Sequence, residues 1–209
     1  MSSRARIALK VAVWVACLAP LGHLGLRALQ DDLTANPIDY ITDRLGKTAL
    51  QILLLSLAVT PLRIAAGLSW PIVLRRLLGL FAFAYVVLHF LVWALVDHFL
   101  NWPQMLEDIV KRPYVTVGMA ALVMLIPLAA TSTARMIKRL GGRRWRLLHR
   151  LAYAAGILAV VHFLWLAKQG VTEPYYYAAA LGLLMAVRGW DWMRSARRRA
   201  TAVGARGAP

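Results

Sequence analysis

The stretch Gly142–Ala167, GRRWRLLHRLAYAAGILAVVHFLWLA, decides how the chain is read. It opens on arginines and continues as an apolar run matching the about 20 residues that a membrane helix needs. Two histidines, His149 and His162, stand in it thirteen residues apart. Ionisable or metal-binding side chains are costly at membrane depth, so their presence there points to function. The stretch reads as a membrane helix that carries haem, with the rest of the chain orienting it and supplying an opposing ligand.

The composition agrees. Of 209 residues, 60% are hydrophobic and 16% charged. A soluble domain of this length carries more charge and shorter apolar runs. Six stretches approach the length of a span: Ile7–Leu29, Thr48–Ala66, Leu77–Leu100, Tyr114–Ala130, Leu147–Ala167 and Tyr175–Met193. Each is expected to be helical, because hydrocarbon satisfies no backbone groups and no barrel-like alternation is present. The predicted fold is all-α, a six-transmembrane-helix bundle with haem in the core, one domain over residues 1–193. The basic remainder, 194–209, lacks apolar periodicity and reads as a disordered cytoplasmic tail. The N-terminal apolar run is too long for a signal peptide and ends without a cleavage site, so it reads as a retained span.

The net charge of +16 would suggest nucleic acid in a soluble protein. Here the basic residues sit between apolar spans, which is the pattern of membrane topology, so no nucleic-acid partner is implied. The N-terminus through Lys10, Leu62–Arg76, Ser132–Arg150 and the tail from Arg188 hold 19 of the 25 Lys and Arg, with one acid, Asp191. The three other connections hold the remaining 6 and eight acids. The positive-inside rule then places both termini in the cytoplasm. A single cysteine, Cys17, excludes an internal disulfide, a Cys-ligated zinc and a cysteine-held iron–sulfur cluster. There is no Rossmann glycine fingerprint, no P-loop and no evident internal repeat.

The histidines are separated by depth. On outward-running helices His89 lies about 18 Å from Leu77 and His162 about 22 Å from Leu147. Two imidazoles at similar depth in the outer half suit bis-histidine ligation of one haem. The bland alternative is that each bonds a neighbouring helix. His149 lies about 20 Å from His162 and, on an ideal helix, roughly 140° around from it, so the two cannot serve one iron. It would serve a second, inner cofactor, but the position thirteen before His89 is Arg76, so no opposing ligand is evident. His98 and His23 read as interfacial or structural. Arg75, Arg76, Arg143, Arg144 and Arg150 gather on the inner side. They orient the chain, or pair with haem propionates or a flavin phosphate, for which guanidinium is well suited.

The segments GKTALQILLLSLAVTPL (Gly46–Leu62), RRLLGLFAFAYVVLHF (Arg75–Phe90), RPYVTVG (Arg112–Gly118) and RRWRLLHRLAY with VHFLW resemble one family. It is the MsrQ (YedZ) family, the haem-binding membrane subunits of bacterial periplasmic methionine sulfoxide reductase systems, within the ferric-reductase-like transmembrane group. The resemblance runs from about Lys10 to Trp192. It implies an inner-membrane electron-transfer subunit that binds one haem b or two, and FMN. Its electrons would come from the quinone pool or a cytoplasmic flavin reductase. They would go to a periplasmic molybdopterin-containing methionine sulfoxide reductase that repairs oxidised proteins, so substrate catalysis would lie on the partner. The ligands correspond to His89, His149 and His162. The wider group carries paired histidines on both the third and fifth spans, and this chain has only one on the third. Two rivals are a ferric or cupric reductase and a small transporter or scaffold with structural histidines.

Overall fold

Long apolar segments form helices because only the helix satisfies every backbone group within one segment of hydrocarbon. A computed structural model describes residues 2–168 and 170–206, and among them no strand occurs. The helices are α1 (Ser3–Leu29), α2 (Pro37–Ala66), α3 (Arg75–Leu91), α4 (Trp102–Lys111), α5 (Pro113–Ala130), α6 (Ala134–Leu140), α7 (Gly142–Leu148), α8 (Leu151–Leu166) and α9 (Glu173–Arg206). A short 3₁₀ turn, Trp70–Leu74, leads into α3, and a π-helical turn, Val92–Asp97, continues it.

Local chemistry sets the boundaries. Asn36 caps α2 through its side chain, with Pro37 as first residue, and Gly67 in the left-handed region (φ +67°) ends that helix. Asn101 caps α4, and Thr133 caps α6 by accepting from the Met136 amide. Each relieves one of the amides a helix start leaves unpaired.

Among the described residues, five segments are long and apolar enough to cross a membrane: Ser3–Leu29, Pro37–Ala66, Trp70–Asp97, Pro113–Ala130 and Gly142–Leu166. The sixth expected span, Tyr175–Met193, does fold as helix, within α9. Its apolar part is shortened by three tyrosines at one end and by Arg188 and Asp191 at the other, so the count of clear spans is five rather than six. The tail expected to be disordered is helical as far as Arg206, while residues 207–209 lie outside the described residues. Alanine and arginine, which dominate that segment, are good helix formers.

Two helix pairs make the body of the bundle, α2 with α3 and α5 with α8. Helix α2 is the hub: Leu45, Ala49, Leu50, Leu53, Leu57 and Val59 are all buried on it. Gln51 donates to the Tyr177 hydroxyl at 2.8 Å, and Lys47 bridges Asp43 and Glu173 at 3.0 and 2.7 Å, fastening α9 to α2. Helix α1 is peripheral. Cys17 is its one buried residue among those described, and the buried Tyr85 hydroxyl donates to the Cys17 carbonyl at 2.6 Å.

Candidate functional site

His89 lies near the end of α3 and His162 near the end of α8, one on each helix pair. Their ring centres are 6.2 Å apart and the ring planes nearly perpendicular, at 82°. Each ring engages a backbone carbonyl of its partner helix through Nδ1. His89 Nδ1 is 2.9 Å from the Thr42 oxygen on α2, and His162 Nδ1 is 2.7 Å from the Tyr114 oxygen on α5. A carbonyl only accepts, so in the neutral ring Nδ1 carries the hydrogen and Nε2 the lone pair. Among the described residues, neither Nε2 has a hydrogen-bond partner.

These dimensions fit a metal held between the rings. Two imidazoles ligating one metal from opposite sides, with metal–nitrogen bonds of about 2.0–2.1 Å, have ring centres roughly 6.4 Å apart. Among the described residues there is no group of three or more His, Cys, Asp or Glu able to hold a metal ion. A pair of histidines without further protein ligands suits a metal that brings its own equatorial donors, as haem iron does.

His149 is elsewhere and differently engaged. The segment expected as one continuous helix breaks there. Helix α7 ends at Leu148 and α8 begins at Leu151, and between them the backbone tightens to Arg150 N–Leu147 O and Tyr153 N–Arg150 O bonds of 3.1 and 3.0 Å. The angle expected between His149 and His162 on an unbroken helix therefore does not apply. Thr131 holds the break: Trp145 Nε1 donates to its carbonyl at 3.0 Å, and its hydroxyl lies 3.1 Å from His149 Nε2. The imidazole also stacks on Trp145, with ring centres 3.9 Å apart.

The end of the bundle where α3 begins holds a cavity of about 230 Å³ lined by Arg75, Arg76, Trp145, His149, Ser56 and Ser132 among apolar neighbours. Ser56 Oγ is occupied by the Arg75 carbonyl at 3.0 Å. Arg150 is exposed and not part of that lining. It is gathered instead with Arg75 near Arg188, a residue that the sequence reading counted only with the basic tail. The Arg188 guanidinium lies over the Tyr153 ring at 4.3 Å, and its Nη1 is buried with no hydrogen-bond partner among the described residues. An arginine inside an otherwise apolar run was the available signal. The sequence offered none for the Thr42 and Tyr114 carbonyls, because any residue supplies a carbonyl.

His98, read as interfacial, is buried instead, at 6% exposure. Its Nε2 lies 3.0 Å from Asp108 and its Nδ1 3.3 Å from Asp97, and Asp108 also pairs with Arg112 at 3.2 Å. The π turn and left-handed Phe99 and Leu100 (φ 47° and 56°) fold α4 back over this cluster. His23 lines a second cavity with Arg27, Tyr40 and Arg44, between α1 and α2.

Residues 45–160 match the family described as "Ferric reductase like transmembrane component". A Rhodospirillum rubrum protein is 51% identical over 179 residues, covering 86% of each chain. Proteins of Ralstonia nicotianae (46% over 200 residues, 95% of this chain and 92% of the relative) and Caulobacter vibrioides (42% over 186, 89% of each) are also similar. All three are named protein-methionine-sulfoxide reductase heme-binding subunit MsrQ. The chain belongs to the MsrQ family. His89 and His149 fall inside the matched ferric-reductase region, and His162 lies two residues past its end.

Proposed function

We propose that the chain is a multi-pass inner-membrane electron-transfer subunit that holds one haem b between His89 and His162. The observation that carries this is the pair of imidazoles 6.2 Å apart, both with Nδ1 on a backbone carbonyl and Nε2 left as a ligand. When bound, haem b supplies a one-electron couple whose potential the axial ligands and their burial tune. The chain's own part is to fix both rings from two different helix pairs and to wrap them in apolar side chains.

The inner cluster has a separate task. Arg75, Arg76, Arg150 and Arg188 concentrate positive charge beside His149 on one end of the bundle. Such a cluster suits an acidic group, whether a haem propionate or the phosphate of FMN. The cavity is smaller than the about 300–1,000 Å³ of sites that enclose whole ligands, which favours a ring or head group over a second macrocycle. His149 would then contact an incoming carrier, with electrons from the quinone pool or a cytoplasmic flavin reductase. The recipient is a periplasmic molybdopterin-containing methionine sulfoxide reductase, and both termini are cytoplasmic, as the 19 to 6 partition of Lys and Arg supports.

The test is spectroscopic. Purified protein should be red, with the sharp reduced-minus-oxidised bands of a low-spin b-type cytochrome. His89→Ala and His162→Ala should each remove the same bands from protein that still inserts. Full low-spin spectra in either variant would refute the pairing, and a colourless wild type from haem-replete cells would favour a transporter or scaffold.

A further inference from the structure

We infer that Gly46 and Gly118 are positioning residues for the two imidazoles, each clearing the approach by which one ring's Nδ1–H reaches a helical carbonyl. The inference rests on the bis-histidine reading above.

In a helix, the carbonyl of residue i accepts the amide of residue i+4 and keeps one lone pair free at its side. The side chain of residue i+4 leans back toward the N-terminus and lies over that free side. The carbonyls that receive His89 and His162 are those of Thr42 and Tyr114, and the residues four further on are Gly46 and Gly118. A Cβ at Gly46 would stand 3.0 Å from Cε1 and 3.1 Å from Nδ1 of His89. At Gly118 it would stand 2.9 Å from Nδ1 and 3.0 Å from Cε1 of His162. Relaxed carbon contacts need about 3.5–4.0 Å, so each ring would retreat by roughly 0.5–1 Å. That stretches the Nδ1–oxygen distances from 2.9 and 2.7 Å to about 3.2–3.9 Å, from well-formed hydrogen bonds to the limit of their range or past it.

The arrangement occurs twice with the same parts. GKTAL (46–50) and GMAAL (118–122) share G-x-x-A-L, and VLHFL (87–91) and VVHFL (160–164) share V-x-H-F-L. Each glycine precedes its histidine by 43 or 44 residues. The shared alanines and leucines, Ala49, Leu50, Ala121 and Leu122, are all buried. An internal echo is therefore present where the sequence showed no evident repeat: two hairpins, each with one glycine, one carbonyl and one histidine. Other glycines differ. A Cβ at Gly22 meets nothing within 4 Å, and one at Gly156 meets Leu57 Cδ1 at 3.0 Å, crowding a core leucine and no histidine.

The chemistry at stake is ligand strength. An Nδ1–H bonded to a carbonyl fixes the tautomer and makes Nε2 more basic. Losing that bond weakens the donor, which disfavours ferric iron and raises the midpoint potential.

The experiment compares Gly46→Ala, Gly118→Ala, Gly22→Ala and Gly156→Ala in the purified full chain. The readouts are haem affinity by competition with a haem acceptor, the paramagnetic resonance signature and the midpoint potential. Alanine is the better helix former, so insertion should survive. Gly46→Ala and Gly118→Ala should each weaken haem binding about 10–100-fold, shift the low-spin signature and raise the potential of what remains. Gly22→Ala should match wild type, and Gly156→Ala should leave signature and potential unmoved. Wild-type affinity and potential in both ligand-side variants would overturn the inference, as would an equal shift in Gly156→Ala. The two levels separate cleanly. If His89→Ala and His162→Ala keep haem, the bis-histidine reading fails; if they lose it while the glycine variants do not, only the positioning role fails.

Discussion

His149→Ala should leave the haem between His89 and His162 in place while disabling delivery of electrons from the inner side. The substitution removes a 3.1 Å contact with the Thr131 hydroxyl and a 3.9 Å stack on Trp145. A neutral hydrogen bond contributes about 0.5–1.5 kcal/mol and an aromatic pair a similar amount, so the cost is roughly 1–3 kcal/mol. That is a fraction of the about 5–15 kcal/mol that holds a typical domain. The α7–α8 break also keeps its other tie, the Trp145 bond to the Thr131 carbonyl. The bundle should therefore persist, and with it the two imidazoles, neither of which touches His149. The assay has two arms: haem per polypeptide with the reduced-minus-oxidised spectrum, and the rate of reduction by a quinol analogue in inverted membrane vesicles. Dithionite should reduce the variant fully and the quinol slowly. Loss of haem as complete as in His162→Ala would show that His149 belongs to the same site. An unchanged quinol rate would remove it from the entry path.

Tyr85→Phe deletes the buried bond to the Cys17 carbonyl, which still has its helical amide. Stability in detergent should fall by about 0.5–1.5 kcal/mol, read as a few degrees of melting temperature, with haem content unchanged. Asp108→Asn takes the carboxylate from between His98 and Arg112. At a cost of about 1.5–3 kcal/mol it should speed hydrogen exchange across Trp102–Lys111; unaltered protection there would mean that the cluster does not hold α4. Reporter fusions at Asp39, Gln104 and Thr172 should read periplasmic and those at Ser69 and Gly141 cytoplasmic. One reversal removes that loop from the topology and the depth match of His89 with His162.

The legible parts of this chain were those governed by one-dimensional rules. Apolar length gives helices whatever their neighbours, and depth along a helix is residue count times rise, so His89 and His162 were matched without any knowledge of packing. What depended on neighbours was hidden. The break at His149 is held by Thr131, the residue that caps α5, eighteen residues away, and nothing in RLLHRLAY announces it. His98 has acids nearby in sequence, yet its burial follows from the fold-back at Phe99 and Leu100, two non-glycine residues in a conformation that sequence rarely signals. The acids of the three less basic connections entered the sequence reading only as a count for topology. Most are engaged: Asp32 with Arg27, Asp43 with Lys47, Glu107 with Lys111 and Asp108 with His98 and Arg112. Charge counting sees the sum and not the pairing.

The placement of one of the two histidines on each helix pair has a consequence for stability. His89 is fixed against α2 and His162 against α5, so the 6.2 Å between the rings is set by how the α2–α3 pair docks on the α5–α8 pair. A group held by both rings binds the docked arrangement and not the separated pairs, and anything that binds only one state stabilises it. Removing either histidine forfeits that whole contribution, because a single remaining ligand no longer spans the pairs. His89→Ala and His162→Ala should therefore lose equal amounts of stability as well as the same spectrum, and the double variant should cost little more than either alone. Two deletions on unrelated sites would instead add. Additive losses in the double variant would mean that each histidine stabilises only its own hairpin and that no shared ligand joins them.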